Sequence, residues 1–508
     1  MSTAVTARPA TAADPRRWLG LAVLVLAVSL VAIDATVLSL AIPSISETLH
    51  PSGTQLLWIG DSYSFVLAGL LVSMGALSDR IGRKKLLLIG SSAFGAASLL
   101  AAYAPGPGWL IMARALLGVA GATIMPSTLS LIRSLFPDDR ERATAIGIWG
   151  AGATAGAALG PLVGGVLLEH FWWGSVFLLN LPVLALLLVL GAWLLPESRD
   201  PKPGSWDVRS VALSMAGVTG VVYAIKEAAA NGFGLAHWYV PVAFVIGVAA
   251  LTTFVRRQLS LPAPLLDVRL FRNPRFTAAA LGSLTALIGL SGVVFFMSQY
   301  LQLVRGYSPL AAGIAEMPAF VGAVVGGLLT AQLARRTGAR VTLTGGLLTM
   351  GVGIALLGWV HQDSGYLLLG VAFLAVGTAE GVVYTLSADL VLAAAPADKA
   401  GAASAVSETA YELGTALGIA LVGSVVTAIY AGSLTVPAGT DPAVADRAQE
   451  SIGGAVEAAR TLPSQLGDPL LAGAKHAFVH GMNVAAVLAA ALLFASAASA
   501  WYLLRRSR

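Results

Sequence analysis

Six acidic residues of this 508-residue chain lie inside long apolar segments, where a charged side chain has little water around it. A charged group at the centre of a bilayer costs about 3 kcal/mol on insertion scales, so such residues are functional candidates. Loss of water favours the neutral form of a carboxyl group, which lets it take up and release a proton near neutral pH. Only one basic residue, Arg114, lies clearly within such a segment. The six acids are Asp34, Asp61, Glu316, Glu380, Glu408 and Glu412.

The composition places most of the chain in a membrane. Hydrophobic residues make up 57% of the chain and charged residues 11%, whereas a soluble protein has about a quarter of its residues charged. The absence of cysteine excludes disulfides, thiolate nucleophiles and cysteine-ligated metal sites. An enzyme is not expected, because the chain also lacks a Gly-x-Ser-x-Gly segment. Neither a cofactor nor a metal is expected.

Fourteen apolar segments are long enough to cross a bilayer, which takes roughly 20 helical residues. Glycine and alanine throughout these segments favour helices over barrel strands, in which polar and apolar residues would alternate. The predicted fold class is therefore an all-α membrane protein with 14 transmembrane helices. The predicted spans are Trp18–Ile42, Leu56–Leu77, Leu86–Tyr103, Trp109–Leu131, Thr144–Leu168, Val176–Leu195, Val211–Ala228, Tyr239–Phe254, Phe276–Leu303, Leu310–Leu333, Val341–Val360, Tyr366–Ala394, Gly401–Tyr430 and Ala477–Leu504.

The basic residues indicate the orientation of these spans. If Met1 is cytoplasmic, 25 of the 31 lysines and arginines fall in inside segments and five fall in outside segments. Inside segments of membrane proteins carry such an excess, so both termini are predicted to be cytoplasmic. The net charge of +5 is explained in the same way, and nucleic acid is not an expected partner.

Two sequence echoes, both separated by eight spans, indicate an internal repeat. One pairs Leu77, Arg80 and Gly82 with Leu333, Arg336 and Gly338, and the other pairs Gly156–Gly160 with Gly414–Gly418. Spans 1 to 6 and 9 to 14 are therefore predicted to form two six-helix bundles, with spans 7 and 8 inserted between them. Parallel repeats of this kind are found in transporters whose site lies between the halves at mid-membrane. The predicted regions are a disordered cytoplasmic tail at 1–15, an N-terminal bundle at 16–200, the inserted helices and linkers at 201–272, and a C-terminal bundle at 273–508 that includes a long outer loop at 431–476.

Several motifs resemble those of the major facilitator superfamily. The loop Gly75–Lys85 matches that superfamily's cytoplasmic signature, Gly-x-Leu-x-Asp-Arg-x-Gly-Arg followed by two basic residues. The fourth span carries Arg114-Ala-Leu-Leu-Gly118, which is close to its Arg-x-x-Gln-Gly element but has Leu117 where glutamine is usual. The first span, Asp34–Pro43, resembles the pattern of fourteen-helix drug:proton antiporters. The segment Trp58–Tyr63 resembles the branch that exports quaternary ammonium compounds and dyes. The fifth span resembles the antiporter motif through Gly156, Gly160, Pro161, Gly164 and Gly165.

This resemblance implies a proton-coupled multidrug efflux antiporter of the bacterial plasma (inner) membrane, working by alternating access. The implied partners are hydrophobic, cationic drugs or dyes, protons and the lipid bilayer, and a monomer is expected. An uptake symporter and a lipid or precursor flippase on the same fold are the alternatives. The signature loop implies a conformational switch formed by Gly75, Asp79, Arg80, Gly82 and Arg83.

Helix geometry indicates which of these residues can lie close together. Glu408 and Glu412 are four residues apart and therefore share one helix face. Asp34, Asp61 and Arg114 are placed so that they could meet between helices 1, 2 and 4. Aromatic side chains on helices that would line a central cavity could hold a lipophilic cation by cation–π contacts. These are Tyr63, Trp149, Phe296, Tyr300, Tyr384 and Tyr411.

Overall fold

The computed structural model describes residues 16–199, 207–230, 238–261, 264, 268–394 and 400–505. These residues are helical throughout, with connecting turns and no strand. The predicted tail at 1–15 lies outside them. The helices are α1 (Arg16–Leu49), α2 (Gly53–Ile81), α3 (Arg83–Ala102), α4 (Pro107–Leu135), α5 (Asp139–His170), α6 (Ser175–Leu178), α7 (Asn180–Leu194), α8 (Val208–Ala230), α9 (Tyr239–Ser260), α10 (Pro274–Gln299), α11 (Pro309–Leu357), α12 (Tyr366–Ala394), α13 (Ala400–Ser433), α14 (Pro442–Glu450), α15 (Ile452–Thr461) and α16 (Ser464–Arg505).

The part of the chain that the structure describes holds 12 helices long and apolar enough to cross a membrane. α11 is 49 residues long and contains one residue outside the helical region, Gly338, with φ 83° and ψ 155°. Its repeat partner Gly82, between α2 and α3, also has a positive φ of 113°. Only glycine adopts such angles readily, so the backbone turns at the two positions that the sequence repeat pairs.

The helices pack as two groups. In the first, α1 packs against α5, and α4 packs against both α2 and α3. In the second, α11 packs against α12, and α10 and α16 pack against each other and against α13. The groups meet where α2 contacts α13 and where α5 contacts α11. The hairpin of α8 and α9 covers the α2–α13 seam, where Val222 packs with Phe65, Ala416 and Ala420.

We name the two ends of the bundle by their residues. The basic face is the end that carries Arg17, Arg83, Arg257 and Arg340. The capped face is the opposite end, where α14 and α15 lie. The sequence predicts two short amphipathic helices in this outer loop, at 441–460 and 462–475. The first region instead forms both α14 and α15, because Ser451 caps a new helix start. The second is the beginning of α16, which runs unbroken to Arg505.

The two groups meet toward the capped face. Here an added Cβ on Gly313 of α11 would stand 2.5 Å from the carbonyl oxygen of Pro161 in α5. An added Cβ on Gly60 of α2 would stand 2.8 Å from Phe295 of α10. Toward the basic face, by contrast, no atom of the described residues lies within 4 Å of the Cβ positions of Gly147 and Gly150 in α5. These close glycine contacts between the groups therefore lie toward the capped face.

Candidate functional site

A fully buried ion pair joins α1 and α4. Arg114 Nη1 lies 2.9 Å from Asp34 Oδ2, and the two side chains are 2% and 0% exposed. Arg114 Nε also donates to the carbonyl oxygen of Ile59 in α2 at 3.4 Å. Asp61, two residues further along α2, is fully buried as well. Of the three residues that the sequence predicts to meet, the structure joins Asp34 and Arg114 in an ion pair, which lies within the first helix group.

Asn180 completes this pair, and no sequence pattern points to it. Its Nδ2 donates to Asp34 Oδ1 at 2.9 Å and to Ser98 Oγ at 3.0 Å. Asn180 begins α7, so the carboxylate of Asp34 is held from α4 and from α7 at once. Both of its oxygens therefore have a partner. A buried charge needs such compensation, since an uncompensated one is strongly destabilising.

Tyr63 lies between this ion pair and the second helix group. The Arg114 guanidinium carbon is 4.7 Å from the centroid of the Tyr63 ring, a cation–π distance. Tyr63 is 1% exposed, and its hydroxyl has no hydrogen-bond partner among the described residues. Asp34 and Glu412 both lie within electrostatic range of the Tyr63 side chain. Tyr63 is therefore placed between the α1–α4 ion pair and an acid of α13.

Three glutamates and two tyrosines form an acid cluster on α12 and α13. Tyr384 donates to Glu408 Oε1 at 3.3 Å, and the rings of Tyr384 and Tyr411 meet edge to face at 5.3 Å. Glu380 and Glu412 lie near both rings. No lysine or arginine of the described residues is ion-paired with these three carboxyl groups. This acid cluster consists of Glu380, Glu408, Glu412, Tyr384 and Tyr411.

The acid cluster lies at the seam between the helix groups. Glu412 is 9% exposed and accepts a hydrogen bond from the Ser64 side chain of α2. Tyr384 is 39% exposed, so one side of the cluster is accessible. Glu408 and Glu412 point to different partners, Tyr384 in α12 and Ser64 in α2. One helix of the second group therefore carries an acid to each side of the seam.

Glu316 lies apart from the acid cluster. It is 4% exposed on α11, one turn beyond Gly313, where α11 packs against α5. Its Oε1 has no hydrogen-bond partner in the described part of the chain. Glu380 belongs to the acid cluster, although the glycines on either side of it, Gly377 and Gly381, pack against the α11 backbone.

Three of the predicted cavity aromatics each pack within their own helix group. Trp149 Nε1 donates to Thr128 Oγ1 at 3.2 Å, joining α5 to α4. Phe296 packs against Phe478, with ring centroids 6.1 Å apart. Tyr300 is fully buried and donates to the carbonyl oxygen of His361 near the capped face. Tyr63, Tyr384 and Tyr411 are the predicted aromatics that the structure brings beside the acids.

The predicted switch loop links α2, α3 and the segment after α7. Arg83 Nη1 donates to Ser134 Oγ at 2.9 Å and Ser198 Oγ at 3.2 Å. Its backbone N–H donates to the Ser198 carbonyl oxygen at 2.9 Å. Gly75 faces Pro126 of α4, and Arg80 is exposed. The side chain of Asp79 lies outside the described part of the structure.

The predicted antiporter glycines pack closely against α1 and α11. A Cβ added to Gly156 would stand 2.5 Å from the Ser29 carbonyl oxygen. Added atoms on Gly160 and Gly164 would meet Thr36 and Val37 of α1, and one on Gly165 would stand 2.7 Å from Leu310 of α11. The motif, including Pro161 opposite Gly313, therefore lets backbones approach closely across both contacts of α5.

A separate cavity of about 430 Å³ opens at the capped face. It is lined in part by His361, His476 and His480, the last two being four residues apart on α16. No group of three or more His, Asp or Glu side chains in the described residues converges as a metal site.

Comparisons with known proteins agree on one family. Residues 24–419 match the Major Facilitator Superfamily. The chain is 47% identical over 507 residues to the multidrug efflux pump LfrA of Mycolicibacterium smegmatis, covering 100% of both chains. It is 38% identical over 497 residues to the methyl viologen resistance protein SmvA of Salmonella typhimurium, covering 97% of this chain and 99% of the relative.

A solved structure shows the same fold. It is that of a bacterial homologue of the human lysosomal transporter Spinster, in an inward-facing and unoccupied conformation. The TM-score is 0.66 at 19% identity, with 97% of this chain and 99% of the other covered. Together with the full-length relatives, these matches identify a transporter rather than an enzyme. The chain belongs to the major facilitator superfamily.

Proposed function

We propose that this protein is a proton-coupled multidrug efflux antiporter that exports hydrophobic, cationic compounds by alternating access. The observation that carries the proposal is the acid cluster, in which three glutamates at the seam between two helix groups have no basic partner among the described residues. Tyrosine rings beside unpaired carboxylates suit a hydrophobic cation, which gains cation–π contacts and charge compensation together. The relatives named for multidrug efflux and methyl viologen resistance support this substrate class.

Exchange follows from competition for the same carboxyl groups. A cation entering from the basic face would be held by Glu408 and Glu412 in their ionised form, with Tyr384 and Tyr411 against its apolar surface. Protonation of those carboxyls removes the attraction and releases the cation. Because the proton and the cation favour different states of one site, their binding is mutually exclusive and transport is an exchange.

The membrane arrangement is part of the proposal. Counting α2 and the two parts of α11 beside the other long helices supports 14 spans, in bundles at 16–200 and 273–508 with an inserted pair at 201–272. We place the basic face and both termini in the cytoplasm, since arginine and lysine concentrate on that side of membrane proteins. The protein then lies in the bacterial inner membrane as a monomer, open to the cytoplasm.

Two motifs serve the change between states in this proposal. Arg83, bonded to Ser134 and Ser198, and Gly82 form a latch at the basic face that rearranges as the groups rock. The glycines Gly156 to Gly165 form the close contact on which α5 and α11 pivot. Close backbone packing gives discrete arrangements of such contacts.

The test is ethidium export by protein reconstituted in liposomes with an imposed proton gradient. We expect the wild type to move ethidium only with the gradient, and Glu412→Gln to abolish gradient-driven movement. Glu169→Gln, which alters an exposed acid at the capped end of α5, is the matched control and is expected to export normally.

Two results would overturn the proposal. One is a wild type that moves none of ethidium, methyl viologen and puromycin under a proton gradient. The other is a Glu412→Gln/Glu408→Gln variant whose gradient-driven export equals that of the control, because the unpaired carboxyls would then do nothing.

A further inference from the structure

We propose that the α8–α9 hairpin carries a binding site for the phosphate headgroup of an anionic phospholipid at its basic end. The site rests on the orientation proposed above and is independent of the exported compound. It deepens the account of the inserted helices, to which neither the sequence motifs nor the acid cluster gives a role.

The site is a cavity of about 420 Å³ between the start of α8 and the end of α9. Three arginines line it, Arg209 from α8 and Arg256 and Arg257 from α9, together with the hydroxyl-bearing Thr253 and Ser260. Guanidinium groups bind phosphate through paired N–H donors, and hydroxyl groups add further donors. The lining therefore has the chemistry of a phosphate site.

One of the three arginines is already committed to the protein. Arg257 Nη2 and Nε bind Asp207 Oδ1 and Oδ2 at 2.9 and 3.0 Å. Asp207 also accepts from the Ser210 backbone at 3.2 Å, and Gln258 donates to Ser210 Oγ at 2.7 Å. This network holds Arg257 in the lining of the cavity, with its charge balanced by Asp207.

Arg209 and Arg256 remain at the rim. Both are exposed, and no described residue is bonded to either of them. With Arg257 compensated by Asp207, Arg209 and Arg256 add two positive charges beside the cavity that no described residue pairs with. Arg269, which donates to the Leu259 carbonyl oxygen at 3.0 Å, adds a further basic residue nearby.

The surroundings of the cavity favour a lipid as the source of the phosphate. α9 exposes large apolar side chains along its length, including Val245 at 63% and Ile246 at 58%, and near the cavity Leu259 at 42%. Acyl chains can lie along this surface while the headgroup reaches the arginines. Basic pockets between helices at the cytoplasmic boundary bind anionic headgroups in this way, at about 1 kcal/mol per arginine near the surface.

The experiment titrates the full-length protein in neutral detergent with phosphatidylglycerol, with phosphatidylcholine of the same acyl chains, and with glycerol 3-phosphate. Thermal unfolding reports binding, and native mass spectrometry counts retained lipids. We expect phosphatidylglycerol alone to raise the unfolding temperature saturably. Arg209→Gln/Arg256→Gln is expected to weaken its apparent affinity about 30-fold. Arg133→Gln/Arg335→Gln, which removes two exposed arginines elsewhere on the basic face, is expected to leave it unchanged.

Three results would overturn the inference: equal binding of both lipids, a double variant at the cavity that keeps its affinity within about threefold, or saturation by glycerol 3-phosphate without any effect of phosphatidylglycerol. The last would assign the site to a free phosphate ester. Gel filtration of the variant establishes that it is folded. Because the readout is lipid binding, failure of ethidium export leaves this result standing, and the converse also holds.

Discussion

Replacing Asp34 by asparagine tests the buried ion pair directly. The change keeps the size of the side chain but removes the charge that compensates Arg114, which lies 2.9 Å away and is 1% exposed. Removing one partner of a buried pair costs about 3 to 5 kcal/mol, because the other charge is left unpaired in an apolar interior. Arg114→Gln is expected to cost a similar amount for the same reason.

The double variant separates this penalty from other effects of each change. In Asp34→Asn/Arg114→Gln neither charge of the pair remains, so its loss of unfolding free energy is expected to fall below the sum of the single losses by at least about 2 kcal/mol. The assay is reversible denaturation in detergent micelles. Asp34→Asn combined with Arg133→Gln, an exposed arginine of the same helix as Arg114, is the control, and its effects are expected to add.

Additive losses within about 0.5 kcal/mol in the Asp34–Arg114 cycle would refute the reasoning, since neighbouring charges that compensate each other must couple. The same variants report on transport. Ethidium export by the folded double variant with the proton dependence of the wild type would show that Asp34 carries no coupled proton. Loss of export in a variant of restored stability would instead give Asp34 a role in the transport cycle.

Three further changes have expected outcomes. Gly313→Val places a branched side chain against the α5 backbone, where a Cβ would already stand 2.5 Å from an oxygen. We therefore expect export in a liposome assay to fall at least tenfold, which is equivalent to about 1.4 kcal/mol. Export above half of the wild-type rate would contradict this packing. Arg257 holds the pKa of Asp207 down at about 2. The contribution of ionised Asp207 to the stability of the folded protein is therefore complete above about pH 4 and is lost as the pH falls toward 2. Asp207→Asn should therefore unfold more readily than wild type at pH 5 to 8, with the gap closing only below about pH 4; a gap that changes between pH 8 and 5 would contradict this. Glu457→Gln removes the charge from the 2.7 Å contact with His50 at the capped face. Such solvent-accessible pairs contribute about 0.2 to 1 kcal/mol, so we expect the free energy of unfolding in detergent to fall by no more than this. A loss above about 2 kcal/mol would show that the pair stabilises the packing of α15 more than an exposed pair can.

Much of the fold could be predicted from the sequence because a membrane span can be recognised from a single continuous run of apolar residues. The repeat partner of Gly338, Gly82, signals the turn in α11, since both positions need a residue without a side chain. The contact between Asp34 and Arg114 is also predictable, because Arg114 is the one basic residue clearly within an apolar run and a buried arginine needs an acidic partner.

The rest of the site depends on how distant helices are rotated against each other. Asn180 is 146 residues from Asp34 and is an ordinary polar residue at a helix start. Ser64 contacts Glu412 only because α2 and α13 face each other across the seam. The sequence predicts that Tyr300 and Trp149 line the cavity, because of the helices on which they lie. In the structure, each of the two side chains points into its own helix group. Spacing along one helix gives its faces but not its neighbours.

The seam near the capped face has a consequence for how this protein can diversify. It is made of backbone against backbone, at Gly313 with Pro161 and at Gly165 with Leu310, and almost any larger residue at these glycines would push the groups apart. Tyr384 of the acid cluster, in contrast, is 39% exposed. If the acid cluster binds the exported compound as proposed, mutations that alter which compounds are accepted can accumulate beside it one at a time without repacking the contact between the groups. Variation among descendants of this sequence should then collect around the acid cluster, while the glycines of the seam stay under purifying selection.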